Sequence, residues 1–305
     1  MMTERKQMLA QQVRGKNLVE PVFDEEYKAF GDQETISRME IDTRHGPTPV
    51  YIHRAKNFRS PTPLFINIHG GGFVRPLIET NVRFCSKVTV LTEGIIVDID
   101  YKLSPEYQFP VAFEQCYDVV KWVFENAEKL GTRSDLITLG GHSAGANMTA
   151  SITLMANQTK EFRVGMQILD FGAFDMKTDP QQKPDWERNI IPLDRMRAFN
   201  TCYTDDDPKI MENPYVSQLF APDEWFPGLP DALVITGGTD MFRFEGEEYA
   251  MKMVAAGINV KMIRYPDSPH GFTVNCVGKW REAQKLIVDT LNAHTREVLM
   301  KDETV

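Results

Sequence analysis

The chain has 305 residues, of which 42% are hydrophobic and 25% charged, and its formal net charge is -9. That composition is ordinary for a globular protein, and the acidic balance argues against nucleic acid or an anionic membrane surface as the main partner. No apolar run approaches the ~20 residues that span a bilayer. Cys85, Cys116, Cys202 and Cys276 are widely spaced and form no Cys-x-x-Cys pair, so they read as reduced, buried thiols rather than a disulfide framework or a metal site. The start, Met1 to Gln7, is polar and lacks the apolar core of a signal peptide, so a cytoplasmic location is expected.

Residues 1 to about 45 are charged and weakly amphipathic, with Val22, Phe23, Tyr27 and Phe30 at near-helical spacing. They predict one or two short helices lying over something else. Val50-Tyr51-Ile52 reads as a strand, and Arg54 to Pro63 as a turn region with two prolines. Leu64 to Ile68 is a strong strand candidate that runs into His69-Gly70-Gly71-Gly72-Phe73. Three glycines at a strand end let backbone N–H groups approach a ligand closely. Asn81 to Thr92 is expected as a helix, Gly94 to Tyr101 as an apolar strand, and Phe113 to Leu130 as one helix packed on a sheet and stopped by Gly131.

Leu136 to Leu139 then reads as a buried strand, followed by Gly141-His142-Ser143-Ala144-Gly145 and the helix formers of Ala146 to Ala156. That is the strand, sharp turn and helix of a nucleophile elbow, in which a serine hydroxyl projects from a sheet edge beside unpaired helix N–H groups. Met166 to Leu169 is another strand. Residues 175 to 230, rich in Pro and Asp and carrying Trp186 and Trp225, break the alternation and are expected as an inserted lid over the sheet's C-terminal edge. Alternation resumes with a strand from Ala232 to Thr236, a helix from Phe244 to Ala256, a strand from Val260 to Tyr265 and a long helix from Gly278 to Lys301. Strands alternating with helices imply an α/β fold with a mostly parallel sheet covered on both faces.

A serine hydroxyl needs a base to attack an ester, and the base needs a carboxylate to orient it. Of six histidines, His45, His53 and His294 lie away from strand ends expected to carry a site. His69 is expected to brace its glycine loop, and the side chain of His142 should diverge from that of its neighbour Ser143. His270, in Asp267-Ser268-Pro269-His270-Gly271-Phe272, remains as the candidate base. The candidate acid is Asp240, after the strand Ala232 to Thr236; its competing role is to cap the next helix. Glu245 is a weaker substitute because it should already be helical. Oxyanion donors are expected at Gly71, Gly72 and Ala144. Neither a G-x-G-x-x-G after the first strands nor a G-x-x-x-x-G-K is present to hold a dinucleotide or a phosphate.

Together, His69 to Phe73, Asp100-Tyr101-Lys102-Leu103-Ser104-Pro105-Glu106, Gly141 to Gly145, Gly238-Thr239-Asp240 and His270-Gly271-Phe272 resemble the hormone-sensitive lipase family of α/β-hydrolases, in its bacterial carboxylesterase and acetyl esterase branch. The resemblance implies an eight-stranded sheet, a small helical cap from about 1–45 and 175–230 on a single domain, no cofactor, and hydrolysis of small carboxylic esters. Two departures stand out: the family usually has Asp where this chain has His142, and a second glycine where it has Ala146. His142 is expected to alter the electrostatics near Ser143. Rival functions are an amidase or arylformamidase with the same triad, and a non-catalytic ligand-binding member of the fold. The presence of His270 argues for catalysis. The edge strand after Val260 is a plausible contact for a homodimer.

Overall fold

The computed structural model describes residues 4–15, 26–58 and 60–302. Val22 and Phe23, and the side chain of Tyr27, lie outside the described residues. In chain order the strands are β1 (Glu34–Ile41), β2 (Thr48–Ala55), β3 (Leu64–Ile68), β4 (Ile95–Ile99), β5 (Ile137–His142), β6 (Met166–Asp170), β7 (Asp231–Gly237) and β8 (Val260–Tyr265). They form one sheet in the order β1-β2-β4-β3-β5-β6-β7-β8. Pairing is antiparallel for β1 with β2 and for β2 with β4, and parallel from β4 onward.

The central strands are apolar on both faces, as a sheet covered on both sides requires. One face packs on α4 (Val111–Glu125) and α6 (Ala144–Thr159), through residues such as Ile66, Val97, Leu139, Val120 and Met148. The other packs on α3 (Glu79–Thr92) and α11 (Trp280–Asp302), through Phe65, Ile96, Leu233, Phe84, Val88 and Ile287. α9 (Arg243–Ala255) covers β7, with Tyr249 and Met253 against Val234 and Leu169.

Above the C-terminal ends of the parallel strands, α1 (Glu4–Arg14) packs on α7 (Leu193–Thr204), burying Ala10 and Val13 against Met196, Ala198 and Cys202. Arg14 pins α1 to two loops below: its guanidinium donates to the carbonyls of Val74 and Ser104 at 3.0 and 2.9 Å and pairs with Glu106 at 2.6 Å.

Two sequence expectations change. The first 45 residues, expected as short helices, contain α1 and α2 (Glu26–Gly31) but also the edge strand β1. Four consecutive residues of β1, Thr35 to Arg38, are exposed, so no alternation of burial marks it; its backbone pairing with β2 defines it. The single helix expected from Phe113 to Leu130 breaks at Asn126, whose side-chain amide donates to the Trp122 carbonyl at 2.9 Å, and α5 (Ala127–Leu130) follows as a separate turn. An asparagine that satisfies a last-turn carbonyl ends a helix that apolar periodicity alone would continue.

Candidate active site

The candidate triad and oxyanion residues sit at the C-terminal ends of parallel strands, where open α/β sheets leave a crevice. β3 ends in the glycine loop, β5 in Ser143, β7 in the loop carrying Asp240, and β8 in the loop carrying His270.

The elbow is backbone-strained. Ser143 has φ 54 and ψ -115, a conformation that costs a non-glycine residue roughly 1–3 kcal/mol and persists only where the surroundings hold it. Here Ser143 N–H donates to the Asp170 carbonyl at 2.9 Å, and the Ser143 carbonyl accepts from Asn147 N–H at 3.0 Å as the first bond of α6. Close packing makes Gly145 obligatory, because a Cβ there would run into the Ile68 carbonyl. The glycine loop therefore lies directly beside the serine.

His270 and Asp240 meet the serine from two other strands. His270 Nε2 lies 2.9 Å from Ser143 Oγ, and His270 Nδ1 lies 2.7 Å from Asp240 Oδ2. The same Asp240 accepts from Phe242 N–H at 3.0 Å through Oδ1, a turn contact ahead of α9; the N-cap of α9 is Phe242 and carries no side-chain cap bond, so Asp240 does not take the competing helix-capping role. The loops carrying Asp240 and His270 are tied together where Gly238 N–H donates to the Tyr265 carbonyl at 2.8 Å and Thr239 N–H to that of Ser268 at 3.2 Å. Phe171 and Phe242 both set an edge or face against the His270 ring, with centroids 5.1 and 5.2 Å away. Glu245 is engaged elsewhere: it accepts from Phe174 and Asp175 N–H at 2.7 and 2.8 Å and from buried Lys183 at 2.6 Å. Burial pushes its carboxyl up, and Lys183 opposes that.

Across the crevice, Gly71 and Gly72 have φ 113 and 60. Their N–H groups and that of Ala144, the first residue of α6, donate to no acceptor among the described residues. Unpaired N–H groups at a loop and a helix N-terminus can receive a developing negative oxygen. His69 braces this loop as expected: its Nδ1 lies 2.7 Å from the Gly70 carbonyl, and its ring stacks on Tyr101, whose hydroxyl donates to the His69 carbonyl at 3.0 Å. Burial lowers the His69 pKa to about 4, which keeps it neutral at pH 7. The segment after β4 adds Ser104 N–H, which donates to the Phe73 carbonyl at 2.9 Å.

The remaining histidines have structural partners. His45 meets Glu114 at 2.5 Å, His53 meets Glu34 at 3.0 Å, and His294 meets the Asp135 carbonyl at 3.1 Å. His142 does diverge from Ser143; it is buried and its Nδ1 lies 2.8 Å from Asp170 Oδ2. Asp170 Oδ1 accepts from Thr273 Oγ1 at 3.2 Å, in the short helix after His270. Burial raises the Asp170 carboxyl, and His142 and Thr273 hold it down. Asp170 thus joins the elbow to the segment after His270, a link that the sequence did not disclose. Its only local signal was an acidic residue ending an otherwise uncharged strand.

Ser143, His270, Gly71, Gly72 and Ala144 line a cleft of roughly 1160 Å³ including its solvent-open mouth, with Ile191, Met196, Phe199 and Phe242 forming apolar walls. Phe199 packs directly on Gly72, where a Cβ would strike its ring.

A sequence model of the α/β hydrolase fold matches residues 65–274. An arylesterase of Saccharolobus solfataricus is 29% identical over 238 residues, covering 77% of this chain and 76% of its own. Among solved structures, a hyperthermophilic esterase of Pyrobaculum calidifontis is 29% identical with a TM-score of 0.81, covering 95% of this chain and 97% of its own. A fungal esterase of Rhizomucor miehei is 26% identical with a TM-score of 0.85, covering 97% and 93%. No helix among the described residues is long and apolar enough to cross a membrane. On fold, matched span and relatives, the chain belongs to the α/β-hydrolase fold family, in its hormone-sensitive-lipase-like group of esterases.

Proposed function

We propose that this chain hydrolyses small carboxylic esters through an acyl-enzyme, with Ser143 as nucleophile, His270 as general base and then acid, and Asp240 as the group that orients His270. The observation that carries the reading is the continuous relay from Ser143 Oγ to His270 Nε2 at 2.9 Å and from His270 Nδ1 to Asp240 Oδ2 at 2.7 Å. His270 takes the Oγ proton as Oγ attacks the ester carbonyl. The negative oxygen that forms is held by the N–H groups of Gly71, Gly72 and Ala144, and collapse expels the alcohol with the proton from His270. Water, activated by the same histidine, then releases the acid and restores Ser143. No step calls for a cofactor.

A short acyl group, acetyl or little longer, is supported by Phe199 closing against Gly72 beside the serine. The α1–α7 layer, from the segments at about 1–45 and 175–230, acts as a cap over one domain, since Met196 and Phe199 face the cleft while Ala10 and Val13 pack behind them. Four free, buried cysteines fit a reducing cytoplasm. The outer position of β8, with Met262 exposed, fits a homodimer through that edge.

Purified Ser143→Ala should lose p-nitrophenyl acetate hydrolysis and fluorophosphonate labelling; retained hydrolysis refutes the assignment. A series from acetyl to dodecanoyl esters should show kcat/KM falling with length, and Phe199→Ala should relax that decline. An amide panel run beside it separates an amidase. An unlabelled Ser143 in the wild type would favour the non-catalytic reading.

A further inference from the structure

Beneath the sheet, on the face covered by α3 and α11, three residues from separate elements converge away from the cleft. His53 lies on β2, Asp98 on β4 and Cys85 on α3, and none is exposed to solvent. The β2–β4 register pairs His53 with Ile96, so Asp98, two residues further, points to the same face. One donor atom from each residue lies within 4.8 Å of the others.

We propose that His53, Cys85 and Asp98 form a structural zinc site.

The bonds already made at the cluster favour a cation over a simple hydrogen-bonded core. His53 Nδ1 lies 3.0 Å from Glu34 Oε2, and that carboxylate can only accept, so Nδ1 carries the proton and Nε2 is left with a bare lone pair. His53 Nε2 is buried and has no hydrogen-bond partner. Asp98 shows the same division: Oδ1 accepts from Asn67 Nδ2 at 2.8 Å, while buried Oδ2 receives no N–H or hydroxyl. Only the Cys85 thiol, a weak donor, leans on that carboxylate.

A carboxylate behind a histidine and an amide behind an aspartate are the outer partners that orient metal ligands. Two buried carboxylates, Glu34 on β1 and Asp98 on β4, flank β2 and are also costly to keep without a cation. Imidazole, thiolate and carboxylate together suit Zn²⁺, with a water as fourth ligand. Zinc bonds of about 2.0–2.3 Å place ligand atoms roughly 3.3–3.8 Å apart, so small side-chain rotations complete the site. Binding replaces the Cys85 S–H bond with S–Zn and releases that proton to solvent. The ion would clamp β2, β4 and α3. It takes no part in the Ser143 chemistry, so its failure would leave the esterase reading standing.

The test is metal content by mass spectrometry after zinc loading and exhaustive buffer exchange. About one zinc per wild-type chain is expected, lost in Cys85→Ala and in His53→Gln, with fluorophosphonate labelling of Ser143 retained as the check on folding. Zinc should raise the wild-type Tm by roughly 5 °C at a hundredfold excess over its Kd, reversibly with a chelator, and should leave Cys85→Ala unmoved. Should both variants fail to fold, zinc K-edge spectroscopy of the wild type must show one sulfur at about 2.3 Å. A wild type that retains no zinc, a Cys85→Ala protein that retains it, or a spectrum without sulfur overturns the proposal; an ordered water would then occupy the cluster.

Discussion

Asp240→Asn tests the relay through its tautomer. Asp240 is fully buried and uses Oδ1 for the Phe242 N–H at 3.0 Å and Oδ2 for His270 Nδ1 at 2.7 Å. An asparagine must keep its single carbonyl oxygen on Phe242 N–H, because turning its amide there would oppose two donors. Its NH₂ then faces His270 Nδ1, which must accept, so the histidine proton moves to Nε2. Nε2–H now donates to Ser143 Oγ across the present 2.9 Å contact and cannot remove the hydroxyl proton. The same forced tautomer in serine proteases lowers kcat by about 10⁴, equivalent to about 5.4 kcal/mol of barrier. We expect a loss of that order in kcat for p-nitrophenyl acetate, KM within a few-fold of wild type, and far-UV circular dichroism unchanged. The stability cost should be only that of a charge-assisted hydrogen bond, about 1.5–3 kcal/mol. A folded variant with kcat within tenfold of wild type would refute both the orienting role and the tautomer argument.

His142→Asp, which restores the residue usual in the family, should fail here, because it sets two buried carboxylates against each other in place of the 2.8 Å pair with Asp170. A loss of about 3–5 kcal/mol in urea unfolding is expected, with altered pH dependence of kcat, and the exchanged double variant His142→Asp/Asp170→His should recover much of it. An unchanged stability and pH profile would end the idea that His142 shapes the site. Gly72→Ala, which drives a Cβ into Phe199 at φ 60, should displace one oxyanion donor and lower kcat by about 10²–10³ with little change in KM.

His69 supplies a pH signature. Its folded pKa of about 4 lies below the ordinary 6.5, so the unfolded chain binds the proton first as pH falls. Its contribution is intact above pH 6.5 and is lost between there and about pH 4, by up to about 3 kcal/mol. His69→Asn should therefore be less stable at neutral pH yet lose less on acidification, as read by urea midpoints at pH 7 and 5; parallel curves for the two proteins would contradict this.

What the sequence determined by itself was whatever depends on neighbouring residues. The elbow is built from consecutive residues: Ser143 turns at φ 54 and ψ -115 between β5 and α6, and its carbonyl opens that helix by accepting from Asn147 N–H. The apolar runs from Leu64, Ile95 and Ile137 are central strands whose two buried faces leave little choice of residue, so they were legible without a partner. The positions of Ser143, Asp240 and His270 after strands placed them on one edge, because parallel strands joined by helices all end on the same side.

Tertiary structure decided whatever rests on pairing between distant segments. The strand β1 is held by its ladder to β2 while its outer side chains face solvent, so its burial pattern carries no period. Asp170 gains its meaning from His142 and Thr273, 28 residues before it and 103 after it. Cysteine spacing likewise carries no trace of the buried cluster proposed above to hold zinc, since local motifs bring ligands together along the chain. Here the sheet register and α3 bring His53, Asp98 and Cys85 together from separate segments, and burial leaves His53 Nε2 and Asp98 Oδ2 without an N–H or hydroxyl partner beside the Cys85 thiol.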